Sequence, residues 1–331
     1  MPQPTATIVG AGAMGMATAV ILLEQDFKLT FWDIDKKVVD AIATQAQNPR
    51  NFPEIRMPKH TRALSDISEA VFGADLVVFS VASPYLREVA MPARQALSRN
   101  VAIISVAKGL EQNSLKTMVD VLEESLGGNH HEHIMAFSGP TLADEIARKM
   151  PFAAMIASKR DNSYSQRGIR AFSNSWSKIY ETRDVLGVEI AGVAKHLTAI
   201  MAGVVQGLGW GDNTRAWILS EAFRDAARLI WKLGGTQETV YGLAGLGDTF
   251  ASAFSPLGRN RQFGELLGQG NTIAKAQSVV KDTVEGITAV DCLHKLALRE
   301  KLRLPVLQAA YDVVVGKEKS GKVFEELLKN L

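Results

Sequence analysis

Short runs of β-branched and apolar residues alternate with stretches of helical periodicity through the first half of the chain. Ala6 to Val9, Leu29 to Trp32, Leu76 to Ser80, Ala102 to Ser105, Ile134 to Phe137 and Phe152 to Ala157 read as strands. Met14 to Gln25, Lys36 to Gln45 and Asn113 to Leu126 read as helices between them. Strand-helix-strand alternation at this spacing predicts a mostly parallel sheet covered on both faces. From about Val188 the apolar residues recur at helical spacing alone: Val188, Ala191, Leu197, Ile200 and Met201, then Ile218, Ala222, Ala226 and Leu229, then Val306, Ala309, Ala310 and Val313. The expected organisation is a doubly wound α/β domain over residues 1–187, followed by an all-α domain over 188–331.

Two apolar stretches need separate treatment. Met14 to Leu23 has no basic residue before it, so it lacks the charged start of an export signal. Leu197 to Leu208 is shorter than the roughly 20 residues a spanning helix needs and carries Gln206, which predicts a buried helix and no membrane span. The 331 residues carry a net charge of +2, with 47% hydrophobic and 22% charged residues, which excludes bulk disorder and argues against a nucleic-acid binder. A single cysteine, Cys292, excludes an internal disulfide and a multi-thiolate metal site, so a reducing compartment, the cytoplasm, is expected.

The strongest local motif runs from Thr7 to Gly15: a strand leading straight into Gly10-Ala-Gly12-Ala13-Met14-Gly15 and then a helix. In a Rossmann-type domain the first glycine permits the tight turn, the second lets backbone approach a pyrophosphate, and the third lets helix and strand pack closely. The helix N-terminus then receives the phosphates. Asp33 ends the second strand eighteen residues past Gly15, where a carboxylate accepts hydrogen bonds from ribose hydroxyls and repels a 2′-phosphate. NAD(H) is therefore favoured over NADP(H). Lys36 and Lys37 speak for NADP(H), and Asp33 has the alternative reading of a turn residue or cap for the helix beginning near Lys36.

Further polar groups interrupt the apolar pattern. Lys108-Gly109 follows a strand, at the sheet edge where ligands bind in such folds, and Ser138-Gly139-Pro140-Thr141 follows another. Lys195 and His196 stand inside an otherwise apolar helix, where a lysine is costly without a partner. Asp248 closes a Gly-Leu-Gly loop, and Arg259-Asn260-Arg261 form a compact cationic cluster after Gly258.

In this order the segments resemble the NAD(P)-dependent glycerol-3-phosphate dehydrogenases. The matching stretches are the glycine turn, Asn48 to Pro53, Lys108-Gly109, Ser138 to Thr141 with Glu145, Asp184 to Glu189, Ala194-Lys195, Gly207 to Thr214, Gly242 to Asp248, Arg259 to Gly264 and Val284-Glu285-Gly286. The resemblance implies reversible hydride transfer between dihydroxyacetone phosphate and sn-glycerol 3-phosphate, which feeds phospholipid synthesis, and it implies a homodimer. Negative charge builds on the ketone oxygen during such a reduction, so a cation and a proton donor are needed there. By the resemblance Lys195 is the general acid/base, Lys108 a cation touching substrate and cofactor, and Asp248 the group holding Lys195 and the substrate hydroxyl. Arg259 and Asn260, with Gly139 and Thr141, contact the substrate and its phosphate. Arg259 and Glu285 also reach the cofactor, and Ala143 lies in the same cofactor-facing stretch.

The chain departs from the family pattern at His196, where asparagine is usual, at Gly258, where serine is usual, and at Glu221, where arginine is usual. Ile34 stands where NADP-using members often carry a basic residue, which again favours NAD(H). Two rival readings remain. One is a related two-domain reductase of a non-phosphorylated keto acid, of the ketopantoate or β-hydroxyacid type, against which the Arg259-Asn260 pair argues. The other is a dinucleotide-binding regulatory protein without catalysis, motivated by Glu221 and Gly258. His130, His131 and His133 with Glu132 read as a loop and not as metal ligands, Trp210, Trp217 and Trp231 as helix packing, and Cys292 as a small core residue.

Overall fold

The computed structural model describes residues 3–255, 258–280 and 284–330. They form two compact units: one runs to Lys108 and resumes over Lys116–Val185, and the other holds Gly109–Leu115 and the chain from Leu186 onward.

The first unit is built on one eight-stranded sheet in the order β3-β2-β1-β4-β5-β6-β7-β8. The strands are β1 (Thr5–Val9), β2 (Lys28–Trp32), β3 (Arg62–Leu64), β4 (Leu76–Phe79), β5 (Ala102–Ser105), β6 (Ile134–Ser138), β7 (Phe152–Ser158) and β8 (Ser177–Thr182). The first six are mutually parallel in the order 3-2-1-4-5-6, the doubly wound arrangement whose ligand crevice lies at the strand carboxyl ends where the order reverses. β7 runs antiparallel to β6, and β8 follows β7 in parallel. Every residue of β4, β5 and β6 is buried, as strands with both faces covered require. The core gathers Ile8, Ile21, Leu22, Phe31, Leu76, Ile104, Met135, Phe137 and Phe172.

All six strands anticipated from the pattern form, with ends shifted by one residue at most. β3 and β8 were not anticipated. The one is three residues long, and the other, Ser-Lys-Ile-Tyr-Glu-Thr, is a half-exposed edge strand with no apolar run. The helix predicted over Asn113–Leu126 begins only at Met118, capped by the Thr117 hydroxyl. Before it Leu115 adopts the left-handed conformation (φ 58°), and Gly109–Leu115 belong to the second unit, an excursion that the boundary at 187/188 does not contain.

From Val185 onward the described residues hold helices and turns alone. The leading helix, Val185–Gly207, is one continuous element of 23 residues, longer than the Leu197–Leu208 segment expected. Its length and composition would suit a membrane span, yet 94% of its apolar window is buried inside the protein. It meets the helix Arg259–Gly268 backbone to backbone: a Cβ on Gly264 would stand 2.1 Å from the Ile200 carbonyl oxygen, and one on Gly203 2.0 Å from that of Arg261. Glycine is what permits this approach. Asp225, buried in the helix Asp212–Lys232, accepts the Val306 and Leu307 N–H groups at 2.8 and 3.1 Å and so caps the helix Pro305–Val314. Trp210 packs edge-on to Phe324, whereas Trp217 and Trp231 are each 43% exposed, so only the first fits the packing reading well. Cys292 is fully buried, its thiol pushed up to about 11 by burial, as expected of an inert core residue.

Candidate active site

At the end of β1 the chain turns through Gly10 at φ 101°, a conformation that disfavours a side chain, and donates the Gly10 N–H to the Trp32 carbonyl at 2.8 Å. Gly15 lies against this turn so closely that a Cβ would stand 2.0 Å from the Gly10 carbonyl oxygen. Gly12, by contrast, faces open space and serves as N-cap of the helix Ala13–Leu23, of which Ala13 and Met14 are the first residues. The turn therefore presents backbone and a helix N-terminus with no side chain in front of Gly12. That is the shape and polarity a pyrophosphate fits.

Asp33 is tied to this turn. Its Oδ2 accepts the Ala11 N–H at 2.8 Å and its Oδ1 the Asp35 N–H at 2.9 Å. The cap of the helix Lys36–Gln45 is Asp35, whose side chain accepts the Lys37 N–H, so the capping alternative for Asp33 falls to its neighbour. Each Asp33 oxygen keeps a further lone pair for a hydroxyl donor. The other side of the Ala11 peptide is held by Asn48, fully buried, whose Nδ2 donates to the Ala11 carbonyl at 2.7 Å. Ile34 is 86% exposed.

A second cluster in the same unit sits at the ends of β5 and β6. Lys108 Nζ donates to the Gly139 carbonyl at 3.0 Å and lies 3.1 Å from Thr141 Oγ1. Gly139, at φ 137°, follows β6, and Ala143 starts the short helix Ala143–Ala147 that packs on Ala13–Leu23. Lys108, Gly139, Thr141 and Ala143 are thus neighbours, as are Gly10, Gly12, Ala13, Met14, Gly15 and Asp33.

In the helical unit Lys195 Nζ donates to Asp248 Oδ1 at 2.9 Å. The Lys195 side chain is 13% exposed and that of Asp248 1%, so the pair is enclosed by protein. Asp248 follows a π-helical turn, Leu243–Gly247, and begins the helix Asp248–Phe254, one turn before Ser252, whose hydroxyl donates to the same carboxylate oxygen at 3.4 Å. Arg259 and Asn260 open the helix Arg259–Gly268 behind Gly258, and Glu285 opens Glu285–Arg299. Asn260 bonds to His196 at 2.7 Å and to the Gly286 N–H at 2.9 Å, and Glu285 Oε2 comes within 3.9 Å of His196 Nε2. Glu221 pairs with Arg224 on its own helix. The roles of Asn48, Ser252 and Gly286 were not anticipated. A buried asparagine thirty-seven residues from its partner leaves no periodic trace.

Among the described residues no three His, Cys, Asp or Glu side chains cluster to hold a metal ion. His130 and His133 are buried, the latter stacked on Tyr164 at 3.7 Å between centroids.

A doubly wound sheet with a glycine turn and a carboxylate at the end of β2, joined to a helical unit with an enclosed lysine-aspartate pair, defines the class of two-domain, dinucleotide-dependent oxidoreductases. Comparison with known proteins gives the family. Residues 5–164 match the NAD-dependent glycerol-3-phosphate dehydrogenase N-terminus and residues 184–325 the corresponding C-terminus. The chain is 33% identical over 328 residues to a glycerol-3-phosphate dehydrogenase [NAD(P)+] from Syntrophomonas wolfei, covering 99% of this chain and 95% of the relative. It superposes on the crystal structure of glycerol-3-phosphate dehydrogenase from Coxiella burnetii with a TM-score of 0.91 at 29% identity, covering 98% and 99% of the two chains. A ketopantoate reductase from Ralstonia eutropha JMP134, at 17% identity and a TM-score of 0.59, shares the fold alone while covering 98% and 99% of the chains. The protein belongs to the NAD-dependent glycerol-3-phosphate dehydrogenase family.

Proposed function

We propose that the protein interconverts dihydroxyacetone phosphate and sn-glycerol 3-phosphate, with NADH the preferred reductant. The observation that carries this reading is the Lys195–Asp248 pair, 2.9 Å apart and enclosed within the helical unit of a member of this family. When bound, the nicotinamide ring supplies or accepts the hydride. Gly10, Gly12, Ala13, Met14 and Gly15 hold the pyrophosphate through backbone, and Asp33 takes the ribose hydroxyls.

In the reducing direction Lys195 donates a proton to the ketone oxygen as negative charge builds there, and it takes the proton back in the oxidising direction. Asp248 fixes the ammonium in place and accepts the substrate hydroxyl. Arg259 and Asn260 grip the phosphate, the guanidinium offering a paired set of donors to its oxygens. By the family resemblance Arg259 and Glu285 are also assigned to the cofactor. In the first unit Lys108, by the family resemblance a cation for substrate and cofactor, is held by Gly139 and Thr141, and Ala143 belongs to the same cofactor-facing stretch.

The test is spectrophotometric reduction of dihydroxyacetone phosphate with NADH and NADPH in turn, beside ketopantoate and other non-phosphorylated keto acids. Turnover of the phosphorylated ketone, with higher kcat/KM for NADH, is the expected result. Turnover of keto acids alone would transfer the protein to the rival reductase reading. NADH binding without turnover of any substrate would transfer it to the regulatory one.

A further inference from the structure

A chain of hydrogen bonds joins three helices of the second unit beside Lys195. The Gly286 N–H donates to Asn260 Oδ1 at 2.9 Å, and Asn260 Nδ2 stands 2.7 Å from His196 Nδ1. A backbone N–H can only donate, so the oxygen of the Asn260 amide must face Gly286 and its NH2 must face the imidazole. A ring nitrogen that accepts a hydrogen bond carries no proton. His196 is therefore neutral in this arrangement, with its one ring proton on Nε2.

The amide has little freedom to choose otherwise. A Cβ on Gly286 would lie 2.5 Å from Asn260 Oδ1, a measure of how closely the side chain is pressed on that backbone. The bond also has a local purpose: Val284, the N-cap of Glu285–Arg299, makes no side-chain cap bond, and Asn260 supplies an acceptor to the first turn of that helix. Protonating His196 would place an N–H on Nδ1, donor against donor. Rotating the amide to relieve this would set NH2 against the Gly286 N–H instead. One of the two bonds must be lost.

We propose that His196 is a positioning residue: its unprotonated Nδ1 fixes the Asn260 amide so that the second amide hydrogen is aimed at the substrate phosphate, and protonation of the ring releases that aim. This rests on the reading of Asn260 as a phosphate contact. Glu285 Oε2 lies 3.9 Å from Nε2, and the charged neighbours in sequence are Arg259, next to Asn260 on the facing helix, and Lys195, next to His196 on its own helix and bonded to Asp248. His196→Asn would offer an acceptor that does not titrate, so the acid sensitivity of the grip belongs to the imidazole.

The experiment compares wild-type, His196→Asn and His196→Leu in the full-length protein, measuring KM for dihydroxyacetone phosphate and for NADH between pH 5.5 and 8.5. It is combined with nitrogen-15 NMR of labelled histidine, the His196 signals being assigned by their loss in His196→Asn. His196→Leu raises KM for dihydroxyacetone phosphate about tenfold at pH 7.5, the scale of one lost hydrogen bond to a bound charge, and leaves KM for NADH in place. In the wild type this KM climbs on the acid side, and His196→Asn keeps the neutral-pH value but loses the climb. NMR finds the Nε2–H tautomer at pH 7.5. An Nδ1–H tautomer, or acid limbs identical in wild type and His196→Asn, in an enzyme with full turnover overturns this inference alone. Absence of dihydroxyacetone phosphate turnover in the wild type overturns the phosphate reading of Asn260 and the aim assigned here with it.

Discussion

Lys195 and Asp248 form a buried pair to which we also assign a chemical function, and the two contributions can be separated by substitution. With Asp248 1% exposed, removing the lysine strands a buried carboxylate, a loss of about 3–5 kcal/mol. Lys195→Met is expected to lower kcat/KM by about 10³ through loss of the proton donor, and to lower urea stability by that amount. The double variant Lys195→Met with Asp248→Leu recovers stability and none of the activity, and recovery of both would remove Lys195 from the chemistry. Asp33 offers a second case. Its grip on the Ala11 N–H places negative charge at the glycine turn, so Asp33→Ser is expected to raise the kcat/KM ratio of NADPH to NADH about tenfold while raising KM for NADH. An unchanged ratio would show that selectivity lies elsewhere. The glycine turn and Asp33 were legible from their spacing after strands and Lys195 from its charge in an apolar helix, whereas Asp248 was assigned only through the family resemblance. The Asn260–His196 contact was not, because it joins positions sixty-four residues apart on helices whose crossing no periodicity encodes.

That crossing is fixed at the level of elements. The helices Val185–Gly207 and Arg259–Gly268 touch through glycine, which sets the distance between the Lys195–His196 pair and Asn260. Gly264→Ala would push a methyl to 2.1 Å from the Ile200 carbonyl oxygen and force the helices apart. The expected cost is about 1–3 kcal/mol, read by denaturant melting, together with a rise in KM for dihydroxyacetone phosphate. Gly211→Ala, where a Cβ meets nothing within 4 Å, serves as the comparison and is expected to cost under about 1 kcal/mol. Equal losses at the two positions would mean that close approach is not what Gly264 provides. Strand and helix existence was readable wherever burial was symmetrical, as in β4 and β5, whose residues are all apolar but for Ser105 at the end of β5. Reading failed at edges and at changes of unit. β8 is half-exposed, and the turn before Met118 keeps a helical pattern of apolar residues although Leu115 has a left-handed backbone.

Across the whole molecule the two units respond to pH in opposite senses. Burial holds His130 and His133 of the first unit below the ordinary histidine value, with repulsion from His133 adding to the effect at His130. The unfolded chain therefore takes up those protons first, and the stability they contribute is present above about pH 6.5 and lost as pH falls. Asp225 of the second unit is pushed up from 3.8 to about 6, chiefly by burial and against the pull of the Leu307 and Val306 N–H groups. Here the folded state binds the proton more tightly, so its contribution is complete below about pH 3.8 and lost as pH rises through about 6. The shift corresponds to about 3 kcal/mol. Asp225→Asn keeps an acceptor for the two N–H groups and removes the charge. It is expected to stabilise the protein at pH 7.5 by up to about 3 kcal/mol and to change little at pH 4.5, where the wild-type carboxyl is already protonated. Calorimetry at the two pH values measures the difference, and hydrogen exchange assigns it to the helical unit. A gain of equal size at both would mean that the variant acts through packing and that Asp225 does not titrate as a buried acid.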